Sequence, residues 1–188
     1  MIIGLSGRAG SGKSTAAQIL ERTLPNNTIV PVAQPLKQIV HILYPRIPVE
    51  LLEPQTPEQR IEREERNFPE YSNRTTRRIL LDNADKMRKQ YGEQIFTELL
   101  YENIELAQSQ SEYIIVPDIR YDSEANVIKQ QGGIILHVNS HDSYTEIYHT
   151  SEAGISVNYV DRMIHNVSTL DDLEREVLRA LSCCTVTV

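Results

Sequence analysis

Tryptophan is absent, and only two phenylalanines and two cysteines occur among the 188 residues. The cysteines, Cys183 and Cys184, are neighbours close to the C-terminus. That placement supports neither a structural disulfide nor a thiolate metal site. The histidines lack metal-ligand spacing; His137 and His165 fall on or beside strand patterns and read as structural. No apolar run is long enough to span a bilayer. The first strand pattern already begins at Met1, so a secretory leader is not expected. The ending Thr185-Val186-Thr187-Val188 is no prenylation box. Basic residues are outnumbered, 19 against 26 acidic, for a formal charge of −7. Such a balance argues against binding polymeric nucleic acid, while leaving room for a local basic pocket. There is no internal repeat, no low-complexity tract and no guanine-reading N-K-x-D motif. The expectation is a single domain in a reduced, cytoplasmic compartment with no membrane partner, whose N-x-S/T matches at Asn26, Asn73 and Asn166 carry no sugar.

What the chain has is Gly7-Arg8-Ala9-Gly10-Ser11-Gly12-Lys13-Ser14, a G-x-x-x-x-G-K-S run. The short apolar stretch Met1–Ser6 precedes it, and Ala16, Ile19 and Leu20 follow at helical spacing. Strand, glycine-rich turn and helix are the context in which this motif binds a nucleoside triphosphate. Glycines let successive N–H groups converge on phosphate oxygens, and the helix start adds its positive dipole end. Residues Ala9, Gly10, Ser11, Gly12, Lys13, Ser14 and Thr15 are therefore the expected phosphate cradle. Lys13 would reach the β/γ-phosphates and the Ser14 hydroxyl would ligate Mg²⁺.

Along the chain, Thr28–Ala33 reads as a second strand and Gln38–Leu43 as a short helix stopped by Pro45 and Pro48. Glu50–Pro69 is polar, charged and proline-punctuated, a helical surface excursion. Arg77–Tyr91 and Glu93–Gln108 read as helices, the second with Ile95, Leu99, Ile104 and Leu106 as its apolar positions. Tyr113–Pro117 is a continuous apolar run, typical of a central parallel strand. Ser123–Gln131 reads as a helix ended by Gly132-Gly133, Ile134–Val138 as a strand, Arg162–His165 as a short strand, and Thr169–Leu181 as the last helix. Alternation of this kind predicts a three-layer α/β/α fold with about five parallel strands. The expected organisation is a core of 1–37, 111–140 and 160–188, a helical insertion at 38–110 and a lid at 141–159.

Ligands in such sheets sit beyond the strands' carboxyl ends, where the glycine loop, Lys37 and Asp118-Ile119-Arg120 all fall. Asp118 stands where phosphate-loop proteins carry the acid that holds Mg²⁺; a turn-capping Asp is the alternative. Arg120 can present a planar fork to two phosphate oxygens. Arg74, Arg77, Arg78, Lys86, Arg88 and Lys89 concentrate positive charge, either as an anion-binding face or as a solvated face paired with Asp82 and Asp85. Arg77 and Arg88, about three helical turns apart, share one side. Two phosphates held in line by cations with water excluded is a phosphoryl-transfer arrangement, which needs no covalent nucleophile from the protein.

At this point the chain resembles the deoxynucleoside monophosphate kinases of tailed bacteriophages, within the wider nucleoside monophosphate kinase group of P-loop kinases. The resembling blocks are Leu5-Ser6-Gly7 with Ser11-Gly12-Lys13, then Ala33-Gln34-Pro35-Leu36-Lys37. Val116-Pro117-Asp118-Ile119-Arg120-Tyr121 with Glu124-Ala125 is the most distinctive. His149-Thr150-Ser151-Glu152, Asp161–Asn166, Ser168-Thr169-Leu170 and Leu173 complete the set. The resemblance implies ATP-dependent phosphorylation of a deoxynucleoside monophosphate to the diphosphate, with ATP and Mg²⁺. It implies Lys37, Arg77, Arg88, Arg120 and Glu124 as acceptor-side contacts, and Asn166 and Ser168 as residues near the ATP base.

The chain departs from the family pattern in two places. Leu80-Leu81-Asp82-Asn83-Ala84 stands where L-Q-x-x-G is frequent, which bears on base preference. Residues His141–Tyr159 hold no arginine, so Arg8 in the glycine loop is a candidate catalytic charge in place of a lid arginine, with Arg162 nearby. Other readings are a kinase of another small phosphorylated acceptor, as in dephospho-coenzyme A kinases, and a nucleotide-binding ATPase. A homodimer is one assembly that the sequence leaves open.

Overall fold

The computed structural model describes residues 1–8, 10–140, 154–166 and 168–185. Two compact units are present, Met1–Val32 with Phe96–Val188, and Ala33–Ile95.

The first unit is built on a parallel sheet. Its strands are β1 (Ile2–Ser6), β2 (Asn27–Ile29), β5 (Tyr113–Ile119), β6 (Ile134–Ser140) and β7 (Arg162–Asn166), in the order β2-β5-β1-β6-β7. Helices α1 (Lys13–Thr23) and α8 (Leu170–Thr185) pack together on one face. Ile3, Leu5, Ile115, Leu136, Val138 and Ile164 project there against Ile19, Leu20, Leu173 and Val177, all nearly devoid of exposure. Each such side chain contributes roughly 1.5–3 kcal/mol on burial. Helix α7 (Asp122–Gln130) packs against β1 and β6; Ile128 lies close to Ile2 where Gly133 leaves no space for a Cβ. Helix α6 (Ile95–Gln108) completes the set and buries Phe96, Leu100, Ile104 and Ala107.

Sequence and structure differ at several points. Leu106, expected as an apolar anchor, is exposed, because α6 turns the Phe96–Leu100–Ile104 stripe inward instead. Strand β2 stops at Ile29, not Ala33: Val30 donates the last ladder bond, to the Ile115 carbonyl at 2.8 Å, and Pro31 has no N–H to continue. Strand β5 runs past Pro117 to Ile119. Gly4 pairs with Val116 and Ser6 with Ile119, so β5 carries one extra residue at Pro117-Asp118. A proline lacking the ladder donor is accommodated at such an irregularity.

The second unit contains α2 (Gln34–Leu43), α3 (Val49–Leu52), α4 (Pro57–Glu65), a small hairpin of β3 (Asn67–Phe68) and β4 (Arg74–Thr75), and α5 (Thr76–Tyr91). The hairpin escaped sequence reading because Ser72 and Asn73, not glycine, supply the positive φ of 60° and 52° at its turn. Helix α2 begins at Gln34 with Pro35 in its first turn, so Lys37 is helical rather than on a connecting loop. Pro57 and the Thr56–Gln59 capping box start α4. As compact units, the divisions fall at 32/33 and 95/96, against 37/38 and 110/111 in the sequence reading. The lid residues 141–153, with the His149–Glu152 block, lie outside the described residues, as do Ala9, Val167 and residues 186–188. No helix among the described residues is long and apolar enough to cross a membrane.

Candidate active site

The loop between β1 and α1 is shaped by its glycines. Gly7, Gly10 and Gly12 have φ of 140°, 76° and 101°, where L side chains are strained. A Cβ on Gly7 would lie 2.3 Å from the Val138 carbonyl oxygen, and one on Gly12 would lie 2.6 Å from Nδ2 of Asn166. Gly12 caps α1 without a side-chain hydrogen bond, and the helix's first turn holds no acidic residue. Its leading N–H groups thus form a site suited to an anion. The Ser11 hydroxyl is buried beside Gly7 with no hydrogen-bond partner among the described residues. A buried orphan donor, amides without a side-chain cap and a cradle that excludes Cβ atoms all match the demands of a phosphate chain.

Lys13 lies folded over this loop. Its Nζ donates to the Gly7 and Arg8 carbonyls, each at 2.7 Å. Burial and the nearby Arg120 guanidinium, partly opposed by Asp118, lower its pKa to about 8. The structure therefore brings Lys13, Asp118 and Arg120 into one electrostatic neighbourhood at the carboxyl ends of β1 and β5. Asp118 Oδ1 accepts the Val32 amide at 2.8 Å, which orients the carboxylate where β2 has ended. The register shift between β1 and β5 falls at this same place, Pro117-Asp118. Ser14 is exposed on the first turn of α1, its hydroxyl accessible.

Arg120 follows the last residue of β5, and its side chain is exposed. Glu124 differs from the expectation of an acceptor contact. It is only 5% exposed, and its Oε2 accepts the backbone amides of Arg120 at 2.7 Å and Tyr121 at 3.2 Å. Burial dominates its environment and raises its pKa to about 7.

Asn166 and Ser168 each have hydrogen-bond partners within the chain. Asn166 ends β7, and its Nδ2 donates to the Ser11 carbonyl at 3.0 Å, so it braces the glycine loop. The Ser168 side chain is tied to Asp172 together with Thr169, whose hydroxyl donates to Oδ2 at 2.8 Å. These hydrogen bonds, with Arg175, hold the Asp172 carboxyl well below the usual carboxylate range at the start of α8.

One neighbour was underrated by sequence reading. His137 pairs with Ser6 across β1 and β6, its Nδ1 3.0 Å from the buried Ser6 Oγ. Burial, then the charges of Lys13 and Arg8, lowers its pKa. The signal lay in the register: the residue before the glycine loop needs a partner on β6, and the strand pattern puts His137 there. Arg162 begins β7 and donates to the Asp161 carbonyl at 2.8 Å.

Within the second unit, Arg77 and Arg88 do lie on α5, and each has a carboxylate neighbour: Glu64 at 3.0 Å and Asp85 at 3.7 Å. Lys37 is 3.9 Å from Glu53. Asn83 is buried, donating to the Ile79 carbonyl at 2.7 Å and the Tyr44 hydroxyl at 3.2 Å. A side-chain amide is therefore present in the segment that departs from L-Q-x-x-G, set toward Tyr44. That bond, with Arg74 and Lys86 nearby, lowers the Tyr44 pKa.

The profile of a family described as deoxynucleotide monophosphate kinase matches residues 83–177, just over half of the chain. The matched stretch contains Arg88, Asp118, Arg120, Glu124 and Asn166; the glycine loop precedes it. A deoxynucleotide monophosphate kinase of Enterobacteria phage T4 is 26% identical over 103 residues, 55% of this chain and 40% of that protein. The chain thus spans about two fifths of the length of the relative it matches. Among solved structures, a dephospho-CoA kinase from Campylobacter jejuni has a TM-score of 0.52 at 11% identity, covering 96% of this chain and 95% of that one. A shikimate kinase from Aquifex aeolicus has a TM-score of 0.51 at 12% identity, covering 100% of each. These two likenesses carry the α/β fold.

Proposed function

The chain belongs to the deoxynucleotide monophosphate kinase family, and from that premise we propose that it transfers the γ-phosphoryl group of ATP to a (deoxy)nucleoside monophosphate. An oxygen of the acceptor phosphate attacks the γ-phosphorus, the bond to the β,γ-bridging oxygen breaks, and ADP and a nucleoside diphosphate result. The observation that carries this reading is the grouping of Lys13, Asp118 and Arg120 around a loop that tolerates no Cβ at Gly7 or Gly12.

Each residue then has a task. The loop amides and the Ser11 hydroxyl bind phosphate oxygens, and Lys13 exchanges its carbonyl partners for them. Arg120 offsets charge that gathers on the transferred group, the largest source of rate in such chemistry. Ser14 and Asp118 would hold Mg²⁺, which neutralises negative charge on the phosphates when bound. Lys37, Arg77 and Arg88 are the residues we propose as contacts of the acceptor's phosphate. Their carboxylate partners do not preclude this, because partly exposed ion pairs are worth about 0–1 kcal/mol. A phosphate dianion competes for such cations readily. The partners are small nucleotides, consistent with a net charge of −7, and the cytoplasm is the compartment that supplies them.

The test is ADP release from ATP with Mg²⁺ across a panel of ribo- and deoxynucleoside monophosphates. Release that depends on one or more monophosphates is the expected result. Acceptor-independent hydrolysis would favour the ATPase reading, and turnover only with a non-nucleotide acceptor would favour a kinase of another small phosphate ester.

A further inference from the structure

We propose that Glu124 is a positioning residue for Arg120, acting as a hydrogen-bond acceptor that fixes the turn from which the Arg120 side chain departs. The inference rests on the reading of Arg120 as a phosphate contact.

Strand β5 ends at Ile119 and α7 begins at Asp122, leaving Arg120 and Tyr121 as a two-residue link. Amides at such a link, at the start of a helix, need acceptors from elsewhere. Glu124 provides one for both, through the same oxygen, Oε2. The return path is also closed: the Tyr121 carbonyl accepts the amides of Glu124 and Ala125, each at 3.1 Å. The link is therefore hydrogen-bonded in both directions, which holds the backbone from which the Arg120 side chain departs.

A carboxyl group is an expensive choice for a site that is 5% exposed. Its neighbours on α7, Ala125 and Ile128, are fully buried, so an apolar side chain would suit the packing better. Glu124 thus serves geometry more than stability. Nor does it present itself to a ligand, since it is almost fully covered and Oε2 already meets two donors.

Because both amides converge on one oxygen, the proposal demands an acceptor and not a charge. Glu124→Gln keeps an acceptor oxygen of the same reach, whereas Glu124→Met fills the space without one. With the monophosphate found most active, Glu124→Met is expected to lower acceptor kcat/KM at least tenfold while the KM for ATP changes less than threefold. Glu124→Gln should restore kcat/KM to within about threefold of wild type. In an Arg120→Ala background, adding Glu124→Met should change kcat/KM by less than twofold, since nothing remains to be positioned. Equal damage from Gln and Met would overturn the proposal in favour of a charged ligand contact. An undiminished effect of Glu124→Met in the Arg120→Ala background would overturn it in favour of general structural support.

Amide hydrogen exchange gives a readout free of turnover. Exchange at Arg120 and Tyr121 should quicken at least tenfold in Glu124→Met but not in Glu124→Gln, with the β1 amides unaffected. Unchanged exchange at these two positions would refute the pinning itself. A wild-type chain without acceptor-dependent ADP release would instead refute the kinase reading, and the exchange result would still decide what Glu124 does.

Discussion

The side-chain amide of Asn166 donates to the main-chain carbonyl of Ser11 at 3.0 Å, joining the end of β7 to the middle of the glycine loop. Gly12 sits directly beneath this contact, with no room for a Cβ beside Asn166 Nδ2. Asn166→Ala removes the donor and leaves a loop carbonyl short of a partner. The expected cost is about 1–2 kcal/mol of stability, read from chemical denaturation. The KM for ATP should rise severalfold with a smaller change in kcat. An unchanged KM would mean that the clasp does not shape the loop.

Gly7→Ala should be among the most damaging single changes. Its φ of 140° is strained for alanine, and the new Cβ would meet the Val138 carbonyl at 2.3 Å, a backbone atom that cannot swing aside. Overpacking of this kind costs about 1–3 kcal/mol. Loss of nucleotide affinity should accompany it, measured by calorimetric titration with ATP. Gly10→Ala, with nothing among the described residues within 4 Å of the new Cβ, should be milder despite its positive φ.

His137 gives the stability curve an acid-side slope. Its pKa is lowered in the folded chain, so the unfolded chain takes up the proton first as pH falls. Its stabilising effect is complete above the ordinary imidazole range near 6.5 and declines as pH falls through it toward the folded-state value. Glu124 acts in the opposite sense: its carboxyl, raised to about 7, favours the folded state at low pH, and that effect is lost as pH rises through about 7. His137→Asn should therefore reduce the loss of unfolding free energy on going from pH 7 to 5.5, and Glu124→Gln should increase it. Urea melts at three pH values distinguish the two signs.

Asp161 ties α7 to the sheet. Both its oxygens accept from Lys129 Nζ, at 2.7 and 2.6 Å, and Oδ2 also accepts the Ile135 amide at 2.7 Å. Asp161→Ala should destabilise the chain by about 1–3 kcal/mol. Asp161→Asn, which keeps an acceptor for Ile135, should cost less. Neither should alter kcat at temperatures well below the transition.

Arg8 is the remaining cation at the loop, and its charge reaches His137. If it supplies what a lid arginine would, Arg8→Ala lowers kcat by about 10²-fold and leaves the KM for ATP within about threefold. A proportionate rise in KM with kcat intact would move Arg8 to ground-state binding.

Much of the architecture was legible because it rests on periodicity. The apolar runs at Met1–Ser6, Tyr113–Pro117 and Ile134–Val138 read as covered strands, and Gly12-Lys13-Ser14 as the opening of a helix. Lys13, Asp118 and Arg120 could be singled out because the first opens the helix after the glycine loop and the other two lie at the carboxyl end of a strand pattern, where a parallel sheet places its ligands. What escaped was everything decided by hydrogen-bond choice. Glu124 and Asn166 have residue types suited to ligand contact, yet one satisfies a turn and the other a loop carbonyl. No spacing rule separates these uses, since the acceptor that each side chain selects lies in a different element. Strand β2 was overextended because Val32 continues the apolar pattern while Pro31 ends the ladder. The β3–β4 hairpin was missed because two residues per strand are too few to show alternation.

Pro117 has a consequence for how the sheet assembles. Because side chains alternate along a strand, a pairing shifted by one residue inverts which of them face inward. A proline in the interior of β5 tolerates only an alignment in which no carbonyl across from it goes begging for a proton. A shifted pairing that set a carbonyl opposite Pro117 would leave that carbonyl without its ladder donor. The residue beside Asp118 at the β1–β5 irregularity therefore also narrows the set of alignments open to β5.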